Sequence, residues 1–570
     1  MAHGDDFEYD AIVIGSGFGG SVSALRLSEK GYRVAVLERG RRYRTEDLPR
    51  TNWDVRKSIW LPALGWHGMM RLSPMRDALM LSTSGVGGGS LVYANTLYVP
   101  PDAFFRAPQW PHVGDWKTIL MPFYRTAQFM LGVTQNPFEG EPDRLLRETA
   151  AQFGKADTFV RTPVGVYFGR PGVAVPDPYF HGAGPERTGC NFCGGCMVGC
   201  RFGAKNTLDK NYLYLAEKLN AQVFADRTVT DVRAIPGGYA VEHARSGAFA
   251  SDRQVLRARR VVLAAGVLGT IELLLECKNR GSLPAVSPRV GKMVRTNSEA
   301  ILAADTRRTN VNFSKGVAIT SSVHLDEHTH VEVARFSEGS DALSTLATIM
   351  TDGGGRIPRA LRFVGNAVRR PGEFARSLSP FGAARRGVVL LVMQSLDNDL
   401  SLQLRRTVIS PFRDTLDTDN ASGKPNPTYI PLGNQFARAF GEHAGGQAYS
   451  SIFEVLFDIP TTAHVLGGAV IGESPETGVI DRRHEVFGHP GLYVCDGSVV
   501  PANLGVNPSL TITALAEHAM SHVPLKPGAS LRPAVDPVWQ HAREAEIEAL
   551  AARLDSSSLQ ARGTPATVHG

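Results

Sequence analysis

The strongest constraint on the fold lies between Tyr9 and Glu38. Tyr9, Ala11, Ile12, Val13 and Ile14 form a short apolar run that reads as a strand. Gly15-Ser16-Gly17-Phe18-Gly19-Gly20 follows, then a helical pattern over Val22 to Glu29 and a second strand, Arg33 to Leu37, ending at Glu38. This is a complete βαβ nucleotide fingerprint. Gly15 allows the tight turn, Gly17 lets backbone approach a pyrophosphate, and Gly20 lets helix and strand pack closely. The helix N-terminus offers free N–H groups to phosphate, and Glu38 is placed to accept hydrogen bonds from the hydroxyls of an adenosine ribose.

At 570 residues the chain is roughly three or four domain equivalents long. No run of about twenty apolar residues is present, so no membrane-spanning helix is expected. The start, Met1-Ala2-His3-Gly4-Asp5-Asp6, is polar and acidic and lacks the parts of a signal peptide. A cytoplasmic protein is the expectation. The net charge of +6 does not point to nucleic acid, because no base-reading motif accompanies it.

Further along, Gly85-Val86-Gly87-Gly88-Gly89-Ser90 precedes the apolar Leu91-Val92-Tyr93-Ala94-Asn95, which suggests an ordered backbone close to something flat or charged. Residues 100 to 185 read as part of a second, inserted domain. They carry helical patterns at Asp115 to Leu131, with Pro122 marking a start, and at Asp143 to Phe153. Lys205 to Leu219 looks helical and Ala221 to Val232 looks like strand. Arg260 to Ala264, Gly266 and the apolar Leu268 to Glu276 form a second strand–Gly–helix unit. Strand character dominates Val317 to Val323, His330 to Arg335 and Val388 to Gln394. From Arg356 to Arg386 there are eight arginines and one acid, Glu373, interleaved with Leu361, Phe363, Val364 and Phe374. A solvated helix face is the plainer reading; contact with anionic lipid is the functional one. Asn507 suits the N-cap of a helix with Pro508 at its first position. Beyond Pro524 the chain reads as a peripheral or disordered tail with one helical pattern, Val538 to Leu554.

Four of the six cysteines cluster as Cys190-x2-Cys193-x2-Cys196-x3-Cys200. Such clustering argues for a metal or redox site over a disulfide framework. The spacing is that of ferredoxins, although Arg201 stands where proline is usual. An iron–sulfur cluster is the first reading, structural zinc the second, and packed reduced thiols the third.

The fingerprint, the Gly85 to Ser90 loop, His464-Val465-Leu466-Gly467-Gly468 and Gly505-Val506-Asn507-Pro508 together resemble the glucose–methanol–choline (GMC) flavoprotein oxidoreductases. Gly-Ala-Lys-Asn-Thr at 203 to 207 and Tyr93 to Pro100 resemble the cholesterol oxidase subgroup of mycobacterial type. The resemblance covers about residues 7 to 523. It implies an α/β fold: a Rossmann-like FAD-binding domain (7–110, 187–300 and 460–523) with an inserted α+β substrate domain built on an antiparallel sheet (111–186 and 301–459), and a peripheral tail (524–570). Carried over by motif, Gly15, Gly17, Phe18, Gly19, Gly20 and Glu38 hold the ADP half and Val229 meets the adenine. Gly85, Gly88, Gly89, Ser90 and Asn95 pass near pyrophosphate and flavin, with Gly266, Asp496 and Gly497 completing the cofactor site. His464 and Asn507 face the substrate hydroxyl. One departure stands out: the better-known members have Asn three residues after the Gly-Gly-Ser, where this chain has Tyr93, its Asn95 coming two later. An assisting acid has two candidates, Glu332 and Glu338.

The chemistry implied is oxidation of a sterol or similar bulky secondary alcohol, 3β-hydroxysteroid to ketosteroid. FAD takes the hydride and His464 the proton. The helix after Asn507 points positive charge at the reduced flavin. Electrons then pass to oxygen or to another redox acceptor. The alternatives are an iron–sulfur GMC dehydrogenase of another alcohol, and a non-catalytic flavin redox sensor.

Overall fold

The computed structural model describes residues 7–112, 114–247, 252–407, 410–420 and 424–562. The polar start, 1–6, and the end of the expected tail, 563–570, lie outside the described residues.

The fingerprint forms as read. Tyr9–Ile14 and Val34–Leu37 pair in parallel, with Ala11 opposite Val34 and Ile14 opposite Leu37. The helix between them begins earlier than its apolar pattern indicates, running Phe18–Glu29. It can begin there because Gly15 takes a φ of +100° and Gly20 lies against it; a Cβ on Gly20 would stand 2.0 Å from the Gly15 carbonyl oxygen.

Around this pair grows a seven-stranded sheet in the order Gln222–Phe224, Val34–Leu37, Tyr9–Ile14, Gln254–Leu263, Gly238–Arg245, Arg227–Ile235, with Leu492–Val494 pairing alongside the C-terminal end of Gln254–Leu263. Pairing is parallel around the fingerprint and antiparallel in the Arg227–Ile235 and Gly238–Arg245 hairpin. The strand expected over 221 to 232 is therefore two strands. Asp226, at a φ of 56°, turns the chain between them and sends the second to the far edge of the sheet.

A second seven-stranded sheet is wholly antiparallel. Its order is Ala347–Ile349, Ala448–Ser451, Ala300–Asp305, Gly387–Gln394, Thr329–Ala334, Ile319–His324, Val160–Arg161. Helix Pro431–His443 covers it, burying Phe436 and Phe440 against Leu302, Leu390 and Val392 in a core of its own.

Three local expectations differ from the structure. The helix expected over Lys205 to Leu219 is only Tyr212–Lys218, because buried Lys205 is drawn off to donate to the carbonyls of Leu91, Tyr93 and Cys196. Helix Trp116–Met130 runs through Pro122; its start is set by Asp115, whose carboxylate accepts from the Lys117 N–H. The tail from 524 to 549 is peripheral but fastened. Lys526 donates to Asp10 at 2.7 Å, the Ala534 N–H to Glu29 at 2.9 Å, and the Trp539 indole to the Tyr179 carbonyl at 3.1 Å.

Deleting residues 526–570 leaves Asp10 and the Glu29 carboxylate without those partners. The expected result is a thermal midpoint lowered by several degrees, corresponding to about 1–3 kcal/mol, with flavin content per chain retained. An unchanged midpoint would show the tail contacts to be idle.

Candidate active site

One cavity of about 1210 Å³ joins the two sheets. At one end it is walled by Gly15, Gly17, Phe18 and Gly19 from the fingerprint, Glu38 after the second strand, and Val229, Gly266, Asp496 and Gly497. Gly88 and Gly89 line it as well. Three helices begin at this wall: Phe18–Glu29, Gly266–Arg280 and Ser509–Ser521. At Gly266–Arg280 the Ala265 N–H goes to Thr270 Oγ1 and the Gly266 N–H to Asp496, whereas Phe18–Glu29 and Ser509–Ser521 have no side chain capping their N-termini. The first N–H groups of these two helices and the positive ends of their dipoles are thus available to an anionic ligand.

The wall fits FAD. Its glycines give backbone access for a pyrophosphate. Glu38 is held by N–H donors from Ser16, Gly40 and Gly85. Asp496 is pinned by Thr270 and Ser498, and burial raises its carboxyl above the usual carboxylate range. Gly20, Gly85, Ser90 and Asn95 do not line the cavity. Gly20 packs on Gly15, Gly85 donates to Glu38, and Ser90 bonds Gly87 and the Leu208 N–H. Asn95 is fully buried beside Cys196, so its expected cofactor contact gives way to a place behind the loop.

Where the glycine wall meets the second sheet, four polar side chains converge. His464 Nδ1 lies 3.4 Å from Glu299 Oε2. The same Glu299 oxygen accepts from Thr462 Oγ1 at 2.8 Å and the Ala463 N–H at 2.9 Å. Asn507 Nδ2 donates to Glu332 Oε2 at 3.2 Å. That bond overturns the expected N-cap: Asn507 turns its amide to Glu332, Pro508 takes the cap position, and the helix starts at Ser509. Left over are Glu299 Oε1, Glu332 Oε1, Asn507 Oδ1 and His464 Nδ1, buried and without hydrogen-bond partners among the described residues, the 3.4 Å approach of His464 to Glu299 being an ion-pair distance and not a hydrogen bond. Unpaired buried polar atoms are costly, so their convergence marks a place built for a polar group.

Of the two acids, Glu332 is fully buried in this cluster. Burial pushes its carboxyl up from 4.5 to about 8, with Glu299 adding to the rise and the Asn507 hydrogen bond opposing it. Glu338 instead lies at the surface near Asn312 and Lys315. Glu299 was missed from sequence. Its only sign there is the polar run Thr296-Asn297-Ser298-Glu299 directly before an apolar strand.

Comparison with known proteins agrees with this geometry. GMC oxidoreductase models match residues 184–292 and 379–516, and a model of an NAD(P)-binding Rossmann-like domain matches 13–56. A cholesterol oxidase of Mycobacterium tuberculosis is 50% identical, over 92% of this chain and 93% of that protein. One from Acinetobacter baumannii is 43% identical, over 92% and 95%. The chain belongs to the GMC oxidoreductase family. It is an FAD-dependent alcohol oxidoreductase. The fold is also that of pyridoxine 4-oxidase from Mesorbium loti, with a TM-score of 0.57, 14% identity, and 90% of this chain and 98% of that one covered.

In this GMC oxidoreductase the cysteine run does not assemble the expected metal centre. Cys190, Cys193, Cys196 and Cys200 line one small cavity of about 20 Å³ with Lys205. Among the described residues, no three Cys, His, Asp or Glu side chains are arranged to hold a metal ion. Burial pushes the Cys190 thiol up to about 12 and the Cys196 thiol up to about 11, while Cys200, against the effect of burial, is held below its ordinary value by Lys210 and backbone N–H groups. The residues as arranged fit packed reduced cysteines.

A carboxyl held above its unfolded value binds its proton longer in the native state, so stability falls as pH rises from 4.5 to about 8. Glu332→Gln removes that term. Across this window the thermal midpoint of the wild type is expected to fall more steeply than that of the variant. Buried Glu454, also pushed up to about 8, contributes equally to both. Parallel curves would place Glu332 in a solvated site.

Proposed function

We propose that this enzyme oxidises the 3β-hydroxyl of a sterol, or a similar bulky secondary alcohol, to the ketone. The observation that carries the reading is the position of His464, Glu299 and Asn507 at the junction between the glycine-walled FAD end and a long apolar channel. The channel follows the paired strands Ala300–Asp305 and Gly387–Gln394 away from Glu299. Six residues of strand at about 3.3 Å each give it a length of about 20 Å, suited to an elongated ring system. The M. tuberculosis and A. baumannii relatives, by name cholesterol oxidases, support the same substrate class. On this reading residues 111–186 and 301–459 form the substrate domain, and 7–110, 187–300 and 460–523 the cofactor domain.

FAD, when bound, accepts the hydride from the carbinol carbon. The chain's own residues handle the proton. His464 Nδ1 faces the Glu299 carboxylate, which leaves Nε2 for the substrate hydroxyl. Glu299, fixed by Thr462 and Ala463, orients the imidazole and offsets the charge it gains on taking the proton. Asn507 holds the substrate oxygen through its amide, with protonated Glu332 behind it. The N-terminus of helix Ser509–Ser521 supplies positive potential where reduction leaves negative charge.

We infer that oxygen is the electron acceptor. An exit through an iron–sulfur cluster is the second reading, favoured only by the convergence of four cysteines on one cavity whose neighbours Met197 and Val198 line the FAD cavity. Iron and acid-labile sulfide assays on protein purified without air are expected to read background beside a flavin spectrum. Stoichiometric iron and sulfide would overturn the oxygen reading.

His464→Ala is expected to lower the rate of flavin reduction by sterol about 10²- to 10⁴-fold, with FAD content retained. Glu299→Gln is expected to lower it about 10- to 100-fold, in the manner of a residue that orients a reacting group. Loss of FAD from either variant would make the pair structural, and no reduction of the wild-type flavin by sterol would sink the substrate assignment.

A further inference from the structure

The arginine-rich segment folds into helices Arg359–Arg369, Pro371–Ser377 and Ala383–Arg386 on the outside of the second sheet. Its apolar residues do not face inward. Ile357, Leu361, Val364 and Val368, spaced four, three and four residues apart, form one stripe along the solvent side, each more than half exposed. Leu378 is 64% and Phe381 80% exposed nearby. An amphipathic helix with its apolar face outward is the reverse of a helix packed on a core.

The arginines divide into two sets. Arg359 and Arg376 turn inward, to Glu454 and Asp305 respectively, and Arg386 caps backbone carbonyls. Arg356, Arg369 and Arg385 are exposed and form no ion pair among the described residues; Arg370 is exposed and meets only Glu373. The outward apolar stripe is therefore flanked by outward positive charge.

This surface lies over the far end of the channel. Arg376, Ser377, Ser379, Ala383 and Ala384 line the cavity from this side, and Ser379 is exposed, so the cavity reaches the surface here. The catalytic cluster sits at the opposite end of strand Ala300–Asp305.

We propose that the Ile357–Phe381 surface docks on an anionic lipid bilayer, so that the channel mouth faces the lipid. The apolar stripe sinks into the headgroup boundary while the flanking arginines meet anionic headgroups. Charge argues for this occupant over a second copy of the chain, since two copies meeting here would bring like-charged arginines together. No helix among the described residues is long and apolar enough to cross a membrane, so the contact is peripheral. What the docking serves, delivery of an insoluble alcohol to the channel, rests on the sterol reading above; the docking itself does not.

The test is flotation of the full-length holoenzyme with phosphatidylcholine vesicles, with and without phosphatidylserine. The wild type is expected to float only with phosphatidylserine. Replacing Arg356, Arg369 and Arg370 together by Glu is expected to weaken binding by about 100-fold, and Leu361→Asp with Val368→Asp by at least about tenfold. All five side chains are partly or largely exposed, so thermal midpoints should be unchanged. Oxidation of sterol embedded in vesicles falls with binding, while oxidation of cyclodextrin-solubilised sterol stays constant. Wild type that ignores the vesicles yet oxidises solubilised sterol overturns the docking and spares the substrate reading. Wild type that binds vesicles but oxidises no sterol does the opposite. A wild-type dimer that Leu361→Asp with Val368→Asp converts to monomer would assign the stripe to a second copy and overturn the proposal.

Discussion

The polar cluster beside the FAD end of the cavity depends on one short turn, Thr296 to Glu299. Asn297 and Ser298 take φ values of 61° and 44°, a left-handed conformation that asparagine tolerates and that is uncommon for serine. The reward is that a single turn grips both the segment that carries His464 and the segment that carries Asn507. The Thr296 carbonyl accepts from Thr462 Oγ1, and Glu299 holds Thr462 and Ala463, which fixes the segment leading into His464. The Asn297 amide accepts from the Leu504 and Gly505 N–H groups and donates to the Val506 carbonyl, which fixes the segment leading into Asn507. His464 and Asn507 thus take their separation from one buried hub.

A second fastening aligns the cofactor end with that hub. Arg26 on the fingerprint helix forms a two-pronged contact with Glu517 on helix Ser509–Ser521, across 491 residues of sequence, and Tyr212 adds a third hydrogen bond to the same carboxylate. A buried pair of this kind contributes little net stability, because desolvation offsets its attraction. Its two-pronged geometry fixes relative orientation instead. The helices it joins are Phe18–Glu29 and Ser509–Ser521, both of which begin, uncapped, at the FAD cavity. Their dipoles therefore add at one site.

What could be read from sequence follows from the range of the forces involved. The fingerprint was legible because strand, turn and helix are each dictated by neighbouring residues. Three strands of the antiparallel sheet, Ile319–His324, Thr329–Ala334 and Gly387–Gln394, were legible because apolar patterning is local. The short helix after Lys205 was not, since it depends on Leu91 and Tyr93 far back along the chain. Glu299 was invisible for the same reason: it acts through segments more than 160 residues away. The Asn507 cap shows the limit from the other side. Asn before Pro is a sound local sign of a helix start, but a buried carboxyl across the fold competes for the same amide and wins, because leaving Glu332 without any donor would cost more than leaving a helix end that a cofactor can satisfy. The cysteine run is a spacing that ferredoxins share, yet spacing alone does not set where sulfurs point.

The cavity also has a direction. Its FAD end concentrates helix N-termini and N–H donors, its middle is walled by the apolar faces of Ala300–Asp305 and Gly387–Gln394, and its far end meets arginines. An elongated molecule with one hydroxyl at its tip would meet the unpaired atoms of Glu299 and Asn507 at the FAD end, with its apolar body along Ala300–Asp305 and Gly387–Gln394. Reversal would bury the hydroxyl near the mouth and leave the cluster unsatisfied. On the sterol reading proposed above, regiochemistry follows from where the chain leaves polar atoms unpaired rather than from a contact specific to one ring.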